Sequence, residues 1–278
     1  MKYLILGDGY IGNYLYRNLP HATLIRNKIF DAKTLRALIT ELYPSHVLIN
    51  CAGKTGRPNV DACEFNKDVV FGANVGLPVM IAEAMRELKT YWVHIGSGCV
   101  YDGYDKDYDE DDEPNFLGSF YARTKKWSQD ILEDFDEVLT LRIRMPIDEL
   151  MNERCYIRKV VEYAMKGYKI FDLQNSMTYL KDLSDAIFHL TELGSTGTYN
   201  VVNRGSLSPV DVVEMWKRQV EDFQYQIASY EEVRKSLRAD RSNCILSVDK
   251  LLGEGFRMPT IIERVQEVLD RARPNGRG

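Results

Sequence analysis

The sequence predicts an α/β protein built on a doubly wound parallel sheet of the Rossmann type, followed by a smaller C-terminal lobe. Short apolar runs alternate with amphipathic stretches through the first half of the chain, and a glycine-rich turn joins the first such pair. After Pro146 this alternation gives way to a mainly helical pattern. We therefore place the sheet domain at 1–146 and the lobe at 147–278, interleaved because 181–203 returns to the sheet.

The first domain is predicted to contain five strands, each a short apolar run of the kind that a parallel sheet buries on both faces. These runs are residues 2–6, 22–26, 46–53, 91–96 and 138–145. Helical spacing of apolar residues marks the stretches between them, at 7–19, 31–43, 67–89 and 121–135. We expect the third of these helices to bend near Gly76 and Pro78.

The second half is predicted to be mainly helical. Helices are expected at 153–166, 181–193, 208–220 and 259–272, and extended segments at 168–173 and 197–203. The acidic run at 104–113 mimics the start of a calcium loop. It has Glu110 where such a loop needs glycine and is followed by Phe116 where the loop needs glutamate, so we predict a solvated loop instead.

Composition excludes several classes of function. A net charge of −5 argues against a broad surface for nucleic acid or acidic lipid, and we find no apolar segment of membrane-spanning length. The five cysteines form no CxxC pair and the four histidines show no ligand spacing, so neither a metal site nor a disulfide framework is predicted. We expect a cytoplasmic protein with reduced thiols.

The stretch GDGYIG places Gly7, Gly9 and Gly12 between the first predicted strand and its helix. In this context the spacing is typical of dinucleotide-binding proteins. The first glycine makes the turn, the second lets a pyrophosphate approach the backbone, and the third lets the helix pack closely. Tyr10 and Ile11 then lie at the helix N-terminus. A strand-to-helix turn without a ligand is the alternative.

The residues after the second strand indicate which dinucleotide binds. Proteins that prefer NAD usually carry an acidic residue there for the ribose 2′-hydroxyl, whereas this strand is followed by Arg26, Asn27 and Lys28. Two cations suit a 2′-phosphate, so we expect NADPH, unless both are only exposed turn charges. The end of the third strand completes the predicted cofactor site with Cys51, Ala52, Gly53 and Lys54.

The stretch YARTK supplies Tyr121 and Lys125, and Ser97 lies at the end of the fourth strand. Helix positions four apart share a face, so we expect the lysine cation to lower the pKa of the phenol and to reach the cofactor ribose. The serine would hold a substrate carbonyl, the tyrosine would protonate it, and the cofactor would give hydride. Y-x-x-x-K is common in helices by chance, but the three residues together predict carbonyl reduction.

In these residues the chain resembles the extended short-chain dehydrogenase/reductase superfamily. More narrowly, the stretches NCAGKTGRPNVDACE, EPNFLGSFYARTK, LRIRMPI and NSMT are similar to the bifunctional UDP-4-keto-6-deoxyglucose 3,5-epimerase/4-reductases, the UDP-L-rhamnose synthases. The likeness runs from Met1 to about Leu252. One departure is the glycine motif, which in that family is more often the longer G-x-x-G-x-x-G.

The resemblance implies a second activity beside reduction. Inverting the carbons on either side of a sugar ketone needs a base on one face and an acid on the other. Related epimerase-reductases place a cysteine two residues after the catalytic serine or threonine, and a lysine or histidine in the early C-terminal lobe. Cys99 and Lys159 occupy these places here. The alternatives are a small buried hydrophobe and a surface lysine.

The resemblance also implies the substrate. The expected reaction converts UDP-4-keto-6-deoxy-D-glucose to UDP-L-rhamnose in a monomer or homodimer, with 1–146 as the NADP-binding domain and 147–278 as the substrate-binding lobe. The alternatives are a 2-acetamido or GDP-linked sugar, a plain dTDP-4-dehydrorhamnose-type reductase, and a noncatalytic binding subunit. Besides Ser97 and Cys99, the residues expected at the substrate are Thr55, Arg57, Asn59, Asn74, Arg241 and Asn243. The resemblance implies that Asn74 supports the site through structure or a water molecule.

Overall fold

The structure is a computed structural model that describes residues 1–26, 31–42, 46–220 and 222–272. Its strands are β1 (Lys2–Leu6), β2 (Ala22–Ile25), β3 (His46–Asn50), β4 (Trp92–Ser97), β5 (Gly103–Tyr108), β6 (Val138–Ile143), β7 (Lys169–Ile170), β8 (Gly197–Asn200), β9 (Gln226–Ile227) and β10 (Cys244–Leu246). Its α-helices are α1 (Tyr10–Asn18), α2 (Ala32–Leu42), α3 (Lys67–Phe71), α4 (Leu77–Glu87), α5 (Phe120–Leu132), α6 (Tyr156–Met165), α7 (Leu180–Leu193), α8 (Pro209–Lys217), α9 (Tyr230–Arg234), α10 (Asp249–Gly253) and α11 (Ile261–Arg271).

A six-stranded parallel sheet in the order β2-β1-β3-β4-β6-β8 confirms the predicted fold class. Apolar clusters cover both faces, with Ile5 and Leu183 in one and Leu4 and Ile81 in the other. The strand order reverses between β1 and β3, so the loops that leave these strands diverge. In such sheets a crevice opens at that point, at the carboxyl ends of the strands.

The long helix predicted at 67–89 is present but irregular. Between α3 and α4 the chain makes a π-helical turn at Gly72–Gly76. Pro78 has no backbone N–H, so the carbonyl of Asn74 loses its α-helical partner, and this favours the wider turn. Single π-turns inside α-helices are frequent at functional sites.

The same helical stretch, Lys67–Glu87, is long and apolar enough to cross a membrane by length and composition. The expectation that no such segment exists is therefore wrong for this stretch. Core helices of soluble proteins pass the same test, and Ile81, Ala82 and Met85 pack here within the apolar cluster on one face of the sheet.

The C-terminal lobe has an apolar cluster of its own. It includes Ile157 of α6, Val213 of α8 and Val265 of α11, all fully buried. β7 and β9 form a short parallel pair beside it. In contrast, α7 packs on the main sheet and β8 pairs with β6. The division at residue 146, with a later segment returning to the sheet, stays a prediction that this separate cluster supports.

The prediction of a solvated loop at 104–113 is wrong in part. β5 lies within this region and pairs with β10, which sequence analysis missed. Beyond it, the carboxylate of Glu110 accepts a hydrogen bond from the backbone N–H of Asn200 at 2.6 Å, and burial raises the pKa of this carboxyl. The partner strand lies far along the chain, so local charge pattern carries no signal for the pairing.

Asp182 of α7 links the two parts of the fold. It is 3% exposed, and its carboxylate accepts two hydrogen bonds from the guanidinium of Arg264 on α11, at 2.6 and 2.8 Å. It also accepts one from the side-chain amide of Asn203 at 2.6 Å. A helix that packs on the sheet is thus tied to one that packs in the C-terminal lobe.

We expect Asp182→Ala to lower the free energy of unfolding by about 2–4 kcal/mol, because a partly buried guanidinium loses two of its hydrogen bonds and a buried amide loses one. The side chain of Arg264 is 25% exposed, so water offsets part of the loss. Asp185→Ala on the same helix removes an exposed pair with Lys181 and should cost less than about 1 kcal/mol. Urea denaturation followed by circular dichroism measures both, and equal losses would contradict this role.

Candidate active site

The glycine motif forms a cradle between β1 and α1. Gly7 adopts φ +109°, and a Cβ there would lie 2.7 Å from the backbone nitrogen of Ala52. A Cβ on Gly12 would lie 1.9 Å from the carbonyl oxygen of Gly7. A Cβ on Gly9, in contrast, would meet no protein atom within 4 Å. Packing therefore explains the first and third glycines, whereas open space at the N-terminus of α1 explains the second.

The other residues predicted beside this cradle have different surroundings. Tyr10 packs between the sheet cluster and the C-terminal-lobe cluster, and Ile11 packs on the sheet cluster. Their side chains thus hold α1 in place, and only the first backbone N–H groups of the helix, which have no intrahelical acceptor, are available to an anion. Arg26 is exposed just after β2, and Asn27 and Lys28 lie outside the described residues.

The loop after β3 is held by Asn74, in the π-helical turn. Its side-chain oxygen accepts the backbone N–H of Lys54 at 2.7 Å, and its amide donates to the carbonyl of Lys54 at 3.0 Å. The same amide donates to the hydroxyl of Thr124 on α5 at 3.1 Å. A Cβ on Gly53 would lie 3.2 Å from the Asn74 oxygen. Asn74 is 1% exposed, and these contacts support its expected structural role, whereas its place at the substrate stays a prediction.

The reducing residues meet at the end of β4. Ser97 is 6% exposed, and its Oγ accepts the backbone N–H of Cys99 at 3.1 Å. Tyr121, in the first turn of α5, lies close to the Ser97 side chain. One turn later, Lys125 Nζ donates to the carbonyl of Ile95 at 3.2 Å. The structure thus brings Ser97, Cys99, Tyr121 and Lys125 into one corner.

Burial dominates the electrostatics of this corner. It raises the pKa of the Tyr121 phenol, with the Cys99 thiol adding to the rise and the Ser97 hydroxyl opposing it. Burial also lowers the pKa of Lys125 to about 8 and raises that of the neighbouring Cys51 thiol to about 12. The expectation that the pKa of the Tyr121 phenol is lowered overall is therefore wrong for this structure, whereas the share of Lys125 in it stays a prediction. Desolvation of the phenolate outweighs the nearby charge.

The start of α5 is positioned by the stretch that carried the resemblance. Glu64, at the end of a 3₁₀ turn over Val60–Glu64, accepts the backbone N–H of Phe120 at 2.6 Å. The side chain of Asn59 caps this turn by accepting the N–H of Asp61 at 2.9 Å. Asn59 was expected to line the sugar pocket, but its side-chain oxygen is committed to the cap because the turn begins there.

Arg241 and Asn243, the two predicted substrate residues near the end of the chain, also form hydrogen bonds to other parts of the protein. The guanidinium of Arg241 donates to the carboxylate of Asp61 at 2.8 Å, and this holds the C-terminal lobe against the 3₁₀ turn. Asn243 is 3% exposed, with its amide on the carbonyl of Arg241 and its oxygen accepting from Asn175. These contacts commit the Asn243 side chain within the protein, whereas they use only one nitrogen of the partly exposed Arg241 guanidinium, so the nucleotide contact stays a prediction for Arg241.

A polar cavity of about 270 Å³ lies beside the glycine cradle. It is lined by Asp8, Gly9, Tyr10, Asn13, Arg17, Arg57, Asn152, Glu153 and Arg154. Arg154 donates to the hydroxyl of Thr55 at 2.5 Å and to the carbonyl of Gly56 at 3.2 Å. The predicted sugar-pocket residues Thr55 and Arg57 therefore lie at the cofactor cradle in this structure. Nothing in the sequence singled out Arg154.

Lys159 lies on α6, whose first N–H, that of Tyr156, donates to the carbonyl of Pro146 at 3.0 Å. It is partly exposed and, within the described residues, no acidic side chain pairs with it. Burial and the neighbouring Arg154 charge lower the pKa of its amine. Burial raises the pKa of Tyr156 at the start of α6, and the Cys99 thiol adds to the rise, a proximity that the sequence did not indicate.

Among the residues that the structure describes, no group of three His, Cys, Asp or Glu side chains is arranged to hold a metal ion. His94 is buried beside β3, with its Nδ1 3.2 Å from the side-chain amide of Asn50. Burial lowers the pKa of His94 well below its usual range, so the ring is neutral.

Curated relatives cover nearly the whole chain. A trifunctional UDP-glucose 4,6-dehydratase/UDP-4-keto-6-deoxy-D-glucose 3,5-epimerase/UDP-4-keto-L-rhamnose-reductase of Arabidopsis thaliana is 35% identical over 276 residues, covering 94% of this chain and 41% of that protein. The chain thus spans about two fifths of the length of the trifunctional relatives it matches. A bifunctional dTDP-4-dehydrorhamnose 3,5-epimerase/dTDP-4-dehydrorhamnose reductase of the same plant is 35% identical over 246 residues, 85% of this chain and 80% of that one.

The fold is similar to that of several solved structures, and the sequence matches one family model. The L780 UDP-rhamnose synthase of Acanthamoeba polyphaga mimivirus has a TM-score of 0.90 at 28% identity, covering 98% of this chain and 99% of that one. A dTDP-4-dehydrorhamnose reductase of Bacillus anthracis has a TM-score of 0.82 at 23% identity, which supports the fold alone. The RmlD substrate binding domain model matches residues 1–273. The resemblance seen in the sequence is confirmed, and the chain belongs to the RmlD substrate binding domain family.

Proposed function

We propose that this chain is a bifunctional 3,5-epimerase and NADPH-dependent 4-ketoreductase that converts UDP-4-keto-6-deoxy-D-glucose to UDP-L-rhamnose. The observation that carries the proposal is Cys99 in the same corner as Ser97, Tyr121 and Lys125, because reduction alone needs no thiol there. Two 35%-identical relatives are named for both 3,5-epimerase and reductase activities, and L780 is named a UDP-rhamnose synthase.

NADPH suits the crevice at the carboxyl ends of β1 and β3. The open backbone at Gly9 and the N-terminus of α1 would hold the diphosphate, with Arg57 and Arg154 beside it. Lys125 would hold the ribose, and the exposed Arg26 would face the 2′-phosphate. When bound, NADPH supplies the hydride for reduction at C4.

The protein's share of the reduction is proton donation and charge stabilisation. Burial keeps the Tyr121 phenol protonated at neutral pH, which is the form that a proton donor needs. The Ser97 hydroxyl can donate to the oxygen of the carbonyl as charge develops on it. With its pKa lowered to about 8, Lys125 is mainly charged at pH 7 and stabilises the phenolate that proton transfer leaves.

Epimerisation is assigned to Cys99 and Lys159. One group removes the proton from a carbon next to the ketone and the other returns a proton to the opposite face. The ketone oxygen meanwhile takes up the electron pair beside Ser97 and Tyr121. An amine must lose its proton before it can act as a base, and the lowered pKa of Lys159 favours its neutral form.

The decisive experiment incubates the purified chain with UDP-4-keto-6-deoxy-D-glucose and NADPH, follows oxidation at 340 nm, and identifies the product by NMR. UDP-L-rhamnose is the expected product. Because one relative is named for the dTDP-linked sugar, dTDP-4-keto-6-deoxy-D-glucose is run in parallel. A clear preference for that substrate would replace UDP in the proposal. Turnover only of a ketosugar epimerised beforehand would leave a plain 4-reductase.

A cytoplasmic location and a homodimer also stay predictions. All five cysteines are free thiols, which supports a reducing compartment. An exposed aromatic pair, Phe71 and Trp127, has its ring centroids 6.2 Å apart, and such a surface suits contact with a second copy of the chain.

We expect Gly9→Ala to separate cofactor binding from stability. The new methyl meets no protein atom within 4 Å, so the free energy of unfolding should stay within about 0.5 kcal/mol of wild type. NADPH binding should weaken about tenfold or more, because the methyl takes the space of the diphosphate. Gly253→Ala, equally open and far along the chain, is the control. Fluorescence titration measures affinity, and unchanged binding in Gly9→Ala would remove the cradle from the cofactor site.

We expect Tyr121→Phe to retain NADPH binding and to lower kcat for reduction by about 10² or more, the usual contribution of a general acid. The ring stays in place while the hydroxyl on Ser97 is lost. NADPH oxidation under saturating substrate measures the effect. Tyr16→Phe, at an exposed position of α1, should leave the rate unchanged. Comparable rates in the two variants would show that another group donates the proton.

Epimerisation and reduction should be separable by mutation. Cys99→Ser and Lys159→Met should each slow deuterium incorporation at C3 or C5 of the ketosugar in D₂O by about 10² or more, because one acid-base group is lost. Both variants should still bind NADPH. Proton NMR without and then with NADPH follows the exchange. Arg158→Met, next to Lys159 but exposed and paired with Glu162, is the control. Exchange at the wild-type rate in Cys99→Ser would make Cys99 a packing residue.

A further inference from the structure

A buried cation that the mechanism does not use lies directly against the corner that holds Ser97 and Cys99. Arg144 is 0% exposed. Its guanidinium donates to the carbonyl of Gly98 at 2.8 Å, to the hydroxyl and carbonyl of Ser242 at 2.8 and 3.1 Å, and to the side-chain oxygen of Asn175. All these acceptors are neutral. Buried guanidinium groups are usually paired with a carboxylate, because taking a charge out of water is costly.

The loop with the two reactive side chains packs on this arginine. Gly98 separates Ser97 from Cys99, and a Cβ on Gly98 would lie 3.0 Å from Cγ of Arg144 and 2.4 Å from Leu246. The peptide group between Gly98 and Cys99 makes both contacts. Its carbonyl accepts the hydrogen bond from the Arg144 guanidinium, and its N–H donates to the Ser97 hydroxyl. Arg144 therefore holds the peptide that presents both side chains.

The charged and titratable groups around Cys99 come from four parts of the chain. They are Tyr121 and Lys125 of α5, Arg144 after β6, Tyr156 of α6 and Cys244 of β10. Two of the five are cations and none is a carboxylate. Burial raises the pKa of both phenols, and the Arg144 charge opposes that rise. Lys125 and Arg144 thus bring two positive charges to the corner that holds Cys99.

We propose that Arg144 is a positioning residue that stabilises negative charge on the Cys99 sulfur, because it holds the Ser97–Cys99 loop against a guanidinium without a carboxylate partner. This rests on the proposed epimerase role of Cys99. When Cys99 acts as the acid, its S–H bond breaks, the proton forms a C–H bond at the ring carbon, and the electron pair stays on sulfur. When it acts as the base, the thiolate takes the proton from that carbon. A cation without a carboxylate partner favours the thiolate in both directions.

Alkylation of Cys99 by iodoacetamide tests this without any sugar turnover, since the thiolate is the reacting form. The rate at pH 7 is divided by the rate at pH 10, where the thiolate dominates, and peptide mass spectrometry separates Cys99 from the other cysteines. Arg144→Met should lower this ratio about tenfold, the effect of a charge contribution of about 1.4 kcal/mol. Arg144→Lys keeps the charge and should restore most of it.

A second variant tests the effect of the Arg144 charge while the arginine itself stays in place. Asn175→Asp places a carboxylate on the guanidinium at nearly constant shape and should lower the same ratio, even if Arg144→Met does not fold. The matched control is Arg142→Met. Arg142 is 1% exposed on β6, two residues before Arg144, but its guanidinium donates to Gln129 and to the carbonyls of Asp109 and Glu110. Its loss should leave the ratio unchanged.

A wild-type ratio in Arg144→Met and Asn175→Asp would overturn the proposal, as would an equal fall in the Arg142→Met control. The function proposed above fails separately. If the alkylation ratios follow the expectation but wild-type protein exchanges no deuterium at C3 or C5, the effect of Arg144 on Cys99 stands and the epimerase activity is wrong.

Discussion

One buried guanidinium joins the segments from which the active site is assembled. Arg144 donates hydrogen bonds to Gly98, Asn175 and Ser242. The side-chain amide of Asn175 in turn donates to the side-chain oxygen of Asn243. The Ser97–Cys99 loop has no regular hydrogen-bonded element of its own beyond β4, so its geometry depends on these partners. A buried donor or acceptor without a partner costs about 1–3 kcal/mol, and this network satisfies several at once.

The opposite wall of the site depends on a local irregularity. Pro78 favours a π-helical turn, and that turn carries Asn74 to a position between the loop after β3 and α5. One amide thereby sets the spacing between the loop at Lys54 and the helix that carries Lys125. The same residue type on a regular α-helix would project differently, so the irregular turn is part of the site.

Burial shifts the pKa values of the phenol and of the lysine amines in the site in opposite directions, and each shift suits the role of its group. It favours the neutral form of every titratable group, so a phenol keeps its proton while an amine loses one more easily. Tyr121 is thereby held as a proton donor, and Lys159 is moved toward a base. The pKa of Lys125 falls only to about 8, so this amine stays mainly charged at pH 7. Arg144 stays charged because a guanidinium does not deprotonate in proteins. The corner therefore combines neutral donors with fixed positive charge.

Periodicity and motif spacing in the sequence determined the succession of strands and helices along the sheet domain and the glycine cradle, because each depends on residues close together in the chain. The Ser97, Tyr121 and Lys125 set followed from the position of each residue on its predicted strand or helix. The β5–β10 pair and the roles of Asn59, Asn74, Arg241 and Asn243 were decided only by the tertiary structure. Their hydrogen-bond partners lie in other segments, or in a turn that no periodicity marks. The tertiary structure also decided that the pKa of Tyr121 is raised, because this shift follows from burial. Local spacing shows which groups can meet, whereas desolvation depends on everything packed around them.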